Sequence, residues 1–201
     1  MRTEVDLANA ALAYLQRDVN MTSLDGTKPQ AVQIRQHMPQ AIEEVIEEYD
    51  WPQCRVISTL VVGEGIDLRG WTYAYIVPSD AVVIWRVADY KGTTLSEFEI
   101  GMSSDLASDT NYIFSDDADL VVRYGSSRVS VGRFSPQTFD LIARRLAIKC
   151  CMPLTKDKQL MQYLEKEYAR LLSKVKTQMA NLEPELVDVE FTPQTISVRS
   201  E

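Results

Sequence analysis

Four carboxylates stand as two adjacent pairs, Glu43-Glu44 and Glu47-Glu48. Two carboxyls in unlike surroundings can divide the roles of general acid and general base. His37 is the chain's one histidine, Cys150-Cys151 offers adjacent thiols, and Lys166, Arg170 and Lys174 repeat every four residues as a basic ridge. In "GWTYAYIVPSDAVVIWRVADY", residues 70–90, Trp71, Tyr73 and Tyr75 fall at alternate positions, as rings stacking on a sugar or a nucleobase would.

The elements that must carry these residues decide what they can do. Ala31, Ile34, Met38, Ile42, Val45 and Tyr49 recur at spacings of three and four, so they share one arc of a long second helix. The four glutamates occupy the opposite, water-facing arc, and a solvated carboxylate keeps an ordinary pKa unsuited to catalysis. Pro39 inside that helix predicts a kink. His37 has no Asp or Ser in a recognisable triad order. One of the two adjacent cysteines falls on an apolar stripe, where a thiol acts as a small buried hydrophobe. Three cysteines without CxxC spacing and a single histidine predict neither a zinc site nor a disulfide scaffold, and no cofactor or metal is expected.

The aromatic stretch reads as core. Trp71, Tyr73, Tyr75 and Val77 share one strand face, Thr72, Ala74 and Ile76 the other, and both faces are apolar. After the turn at Pro78-Ser79-Asp80 comes an equally apolar run with Val83, Trp85 and Val87. Carbohydrate platforms expose rings beside polar groups, which are few here. Trp71, Tyr73, Tyr75 and Trp85 are therefore expected to pack inside a β unit.

A chain of 201 residues with 45% hydrophobic content can bury one core, or one core and a compact subdomain. A net charge of −8 opposes specific nucleic-acid binding. The apolar runs are too short to cross a bilayer, and MRTEVDLANA lacks a signal-peptide core, which predicts a soluble, unexported chain with no membrane partner.

Periodicity divides the chain into four parts. Over 1–52, Thr3 caps a first helix expected at 4–17, and Pro29 opens the second. Over 53–134, β-branched and aromatic runs predict an antiparallel meander with strands at 55–62, 71–77, 81–88, 96–100, 111–115 and 119–125. Over 135–182, Ser135-Pro136 starts a third helix that Pro153 should close at 152, and Thr155 should cap a fourth. The fourth carries Leu164, Tyr168, Leu171 and Val175 on a seam that should be buried against the other helices. Residues 183–201 form an extended tail in which Leu186, Val187, Val189 and Phe191 alternate with Asp188, Glu190 and Thr192. Such a tail gains most by adding to another chain's sheet edge or groove, and the alternative is folding back onto its own β unit. The fold class expected is α+β: an antiparallel bundle of four helices with an inserted antiparallel β domain and an extended C-terminal tail.

The blocks "LANAALAYLQRDVNMTSLDG", "EEYDWPQCR", "GWTYAYIVPSDAVVIWRV", "FSPQTFDLIARRLAIKCCMPLT" and "YLEKEYARLL", in this order over roughly residues 4 to 182, resemble the head-to-tail adaptor proteins of short-tailed bacteriophages, also called tail tubular protein A. Gln16 departs from the pattern, since many of those proteins carry glycine there, and the tail after Pro184 has no dependable counterpart. The resemblance implies a structural virion protein and no enzyme. It implies a ring, usually of twelve copies, assembled in the bacterial host cytoplasm and residing in the virion tail. The partners implied are other copies of the chain, the portal protein, the tail nozzle protein, and tail fibre or spike proteins. The C-terminal extension would reach the portal, and DNA would pass through the ring without being bound specifically. The residues expected at portal or subunit contacts are Leu186, Val187, Val189 and Phe191, with Lys166, Arg170 and Lys174 as second candidates. Two other readings stay open: an adaptor with peptidoglycan hydrolase activity, and a small bundle protein whose tail binds some other partner.

Overall fold

Thr3 holds the first helix at its start by a reciprocal cap. The Asp6 amide donates to the Thr3 hydroxyl, and the Thr3 amide donates to the Asp6 carboxylate. Helix α1 spans Glu4–Tyr14 rather than reaching residue 17. Its last turn tightens, with Leu15 N–H donating to Leu12 O and Gln16 N–H to Ala13 O, and Gln16 then takes a left-handed φ of 55° that ends the helix. The computed structural model describes residues 2–16, 20–64, 70–95, 97–102 and 110–182.

The chain is mixed α+β, with four helices and two antiparallel sheets. Helix α2, Pro29–Glu48, starts on its proline and continues through Pro39. Helix α3, Pro136–Thr155, starts at Ser135, whose Oγ accepts the Thr138 N–H at 3.1 Å. α3 runs past Pro153 instead of closing at 152. A proline there removes one donor, and the helix ends where Lys156 turns left-handed (φ 57°) and its N–H bonds Met152 O. Thr155 does not cap helix α4, Lys158–Leu182, because its hydroxyl is turned back onto the Cys151 carbonyl at 2.7 Å. Asp157 caps instead, its Oδ1 accepting the N–H groups of Gln159 and Leu160 at 2.9 and 3.0 Å.

The described residues up to Cys54 and from Ser126 onward make one compact unit, and Arg55–Gly125 make a second. The first unit takes back the chain at Ser126, earlier than the return of helical period at 135. In it α3 packs against α1, α2 and α4. Its buried residues accordingly run most of the way round the helix: Leu141, Ile142, Ala143, Leu146, Ala147, Cys150 and Cys151 are all fully buried. Asn9 ties the following loop to α1 by behaving like a strand neighbour, its amide donating to Met21 O and accepting from Met21 N.

The second unit is not a meander. Strands β1 (Arg55–Thr59), β7 (Val121–Ser126) and β4 (Ala81–Ala88) form one sheet in the order β1-β7-β4. Strands β2 (Val61–Val62), β3 (Tyr73–Ile76), β6 (Asn111–Ser115) and β5 (Glu99–Met102) form the other in the order β2-β3-β6-β5. The stretch expected as one strand over 55–62 therefore changes sheets at Leu60. That residue is buried, and its N–H donates to Leu120 O at 2.8 Å, while Leu120 sits at the equivalent passage between β6 and β7. Two packed sheets bury the faces they turn to each other. Leu60, Tyr75, Val87, Ile113, Leu120, Val122 and Tyr124 form the core between the sheets, with Tyr73 packed against it.

Trp71 leaves the face shared by Tyr73 and Tyr75. It precedes β3, next to Gly70 at φ +95°, and packs with Ala74, Tyr112 and Phe114 on the opposite side. The cause is local. Asp116 Oδ1 accepts both the amide and the hydroxyl of Thr72, at 2.9 and 2.8 Å, which breaks the alternation one residue before the ladder begins. Trp71 and Tyr73 are half-buried, Tyr75 is buried, and Trp85 in β4 is half-buried.

Candidate interaction surfaces

Helix α4 divides its residues as a one-sided seam requires. Leu164, Tyr168 and Val175 are buried. Leu171 is only half-buried, a correction to its expected burial: the apolar stripe is wider than the contact, and Leu171 falls at its margin. Lys166, Arg170 and Lys174 are exposed on the other face. Arg170 reaches Glu167 at 3.9 Å with its side chain 83% exposed, a pair worth little in water. The ridge is thus a row of hydrated cations open to an acidic surface.

The carboxylates of α2 do not behave as one solvated group. Glu43 and Glu47 are exposed. Glu44 is half-buried and accepts from two cations of α3, Arg145 Nε at 2.5 Å and Lys149 Nζ at 2.6 Å. Glu48 accepts from Lys176 Nζ of α4 at 3.3 Å. The helical period placed all four on one arc, yet that arc is wide enough for its edge to meet α3 and α4. Burial pushes the Glu44 carboxyl upward, but the hydrogen bonds from Lys149 and Arg145 outweigh it and hold the group below the ordinary glutamate value. A carboxylate fixed as an anion by two cations serves to join helices.

Other polar side chains in this unit are likewise tied up in packing. Tyr14 donates its hydroxyl to Asp140, Arg144 Nε donates to the same carboxylate at 3.2 Å, and the Arg144 guanidinium lies 4.4 Å from the Tyr14 ring centroid. Burial, with the Asp140 hydrogen bond, pushes the Tyr14 phenol up to about 12. The three cysteines are free and buried, and burial pushes the thiols of Cys54 and Cys150 up to about 12, so neither forms a thiolate near neutral pH. His37 is half-buried on α2. Among the described residues no group of three or more His, Cys, Asp or Glu could hold a metal ion, and no helix is long and apolar enough to cross a membrane.

Sequence reasoning passed over Trp51. It is among the largest fully buried side chains, its indole N–H donates to Val45 O, and Tyr49 meets it edge-on at 5.2 Å. A tryptophan directly after a helix end was its one signal.

On the β unit the apolar surface lies at sheet edges. Val61 and Val62 on edge strand β2 are 68% and 46% exposed, and Ile100 and Met102 on edge strand β5 are 49% and 50% exposed. A sheet edge that carries exposed apolar side chains is a surface suited to strand addition or a subunit contact. Leu186, Val187, Val189 and Phe191 lie outside the described residues. No protein-family model matches this chain, and no curated protein matches it at a significant level.

Proposed function

We propose that the chain is a structural virion protein, the head-to-tail adaptor of a short-tailed phage. It would form a ring between the portal and the tail nozzle and offer attachment points for fibres or spikes. In this reading α1 to α4 act as an antiparallel bundle, the β unit inserted between α2 and α3 supplies neighbour contacts, and the C-terminal tail docks on the portal. The observation that carries it is the order of elements: two helices, a compact β unit, then two helices, with the quoted sequence blocks falling on α1, the end of α2, β3 and β4, α3 and α4. Gln16 lends support, because its left-handed backbone is where glycine costs least. The polar clusters also suit a scaffold, being spent on joining helices.

The test is electron microscopy of the full chain mixed with portal rings, beside a chain ending at Glu183 and a full chain carrying Lys166→Glu, Arg170→Glu and Lys174→Glu. The reading expects a ring on the portal from the full chain and loss of attachment on truncation. Undiminished attachment by the truncated chain would move docking to the basic ridge, and no ring with any of the three would reject the adaptor role. Hydrolysis of peptidoglycan in a zymogram would point to the enzyme reading.

A further inference from the structure

One cavity of the helical unit lies apart from the side-chain clusters that join its helices. It encloses about 450 Å³, within the ~300–1,000 Å³ span of ligand sites. One wall is a single stripe of α2: Arg35, Met38, Pro39, Ile42 and Glu43, at spacings of three and four. From Arg35 to Glu43 the helix rises about 12 Å, at about 1.5 Å per residue. The stripe therefore reads as a cation, an apolar floor and an anion, in that order.

Three features define what fits. The lining holds Arg2 and Arg35 against Glu4 and Glu43, so its formal charges cancel, and a polyanion or a polycation gains nothing overall. A ligand with one acid and one base, set apart as Arg35 and Glu43 are, matches both ends of the stripe. Arg35 donates to Leu24 O at 3.1 Å and has no carboxylate partner among the described residues. A guanidinium with donors left over gains most from a carboxylate. Between the charged ends stands Pro39, which has no N–H, so the Arg35 carbonyl four residues earlier loses its helical donor and can accept from a ligand.

An extended peptide meets all three requirements. Its main chain supplies N–H donors, and its side chains alternate, so residues i, i+2 and i+4 share a face. At about 3.3 Å per residue, i and i+4 lie about 13 Å apart, close to the rise between Arg35 and Glu43. An acid at i, an apolar residue at i+2 and a base at i+4 reproduce the order of the stripe.

We infer that this groove binds an extended peptide segment of another protein with the pattern acid-x-apolar-x-base. The acid of the segment meets Arg35, its central side chain lies on Met38 and Ile42, a main-chain N–H reaches the Arg35 carbonyl, and its base meets Glu43. The site is built from the helical unit alone and does not depend on the adaptor reading.

Methyl NMR of the full chain tests it, with the blocked peptide acetyl-E-T-L-T-K-amide as the probe. The methyl signals of Met38 and Ile42 are expected to shift saturably as peptide is added, and those of Leu146 in the buried core to stay. The peptide acetyl-E-T-L-T-E-amide, which sets a second acid against Glu43, should bind about fivefold more weakly, the effect of one exposed ion pair. Glu43 is exposed, so Glu43→Arg should keep the fold and reverse the order of the two peptides. Absence of a saturable shift, equal binding of both peptides, or an order unchanged by Glu43→Arg would each overturn the inference. Met38 and Ile42 signals that move when the free chain is diluted would give the groove to a second copy, which also overturns it.

Discussion

The helical unit and the β unit bury their apolar residues by opposite rules. In the first, α3 is surrounded by the other helices, and half-buried charges such as Glu44 with Arg145 and Lys149 bridge the remaining gaps. In the second, one sheet is apolar on both faces, its centre is fully buried at Ile113 and Phe114, and its two edges leave Val61 and Ile100 in water. A helix satisfies its own backbone, so its outer face can be purely charged. A sheet edge cannot, and apolar side chains left beside it mark where a further strand or subunit gains most. The difference places the exposed apolar surface at the sheet edges.

The largest expected effect falls on the centre of the β unit. Phe114 is fully buried between Ala74, Tyr112 and Trp71, so Phe114→Ala should cost about 3–5 kcal/mol, read as a lowered denaturant midpoint. Trp71→Ala should cost less, since Trp71 is half-buried. Equal losses would mean that Trp71 is as central as Phe114 and that the break in alternation at Thr72 has been misjudged.

Next come two leucines of α4 that share a stripe but differ in burial. Leu164→Ala should cost about 2–5 kcal/mol as a core truncation, and Leu171→Ala clearly less. Chemical denaturation of the two variants side by side decides it. A reversed order would shift the helix contact toward Leu171.

These residues also mark how far the sequence could be read. The mixed α+β class and the placement of four helices were legible, because periods of three and four persist over long stretches and caps are local chemistry, as Thr3 and Ser135 show. Pro153 and Thr155 misled, since whether a proline ends a helix depends on the residues beyond it, here left-handed Lys156 and capping Asp157. The strand ranges were largely visible, but their pairing was not. Which strand neighbours which is set by contacts distant in sequence, and the sheet change at Leu60 is fixed by a hydrogen bond to Leu120. The α2 cavity escaped notice because it draws on four separated segments.

Glu44→Gln should cost about 1–3 kcal/mol, the range for leaving buried hydrogen-bonding partners unsatisfied. It should also flatten the acid side of the stability profile. The folded pKa of Glu44 lies below its unfolded value, so its contribution is full above the unfolded value, about 4.3, and is lost as pH falls through the folded one. Denaturation midpoints measured between neutral pH and about pH 3 should therefore converge for the parent and the variant. A constant gap would show that the Arg145 and Lys149 contacts contribute nothing through charge.

The smallest effect is the most discriminating test of polar economy in the helical unit. Tyr168 packs its ring in the α4 seam with Arg145 5.5 Å from the ring centroid, and burial pushes its phenol up to about 12. Its buried hydroxyl has no hydrogen-bond partner among the described residues. Removing a polar atom that forms no bond costs nothing electrostatically and saves its desolvation, while the ring keeps its packing. Tyr168→Phe should leave the midpoint unchanged or raise it slightly, against the loss expected for Leu164→Ala four residues away. A loss above about 1 kcal/mol, the size of one net hydrogen bond, would show that the hydroxyl has a partner, such as a bridging water to Glu48 or Glu44, whose charges already influence this phenol. The α4 seam would then be partly wet, and closer in character to the sheet edges than its apolar stripe suggests.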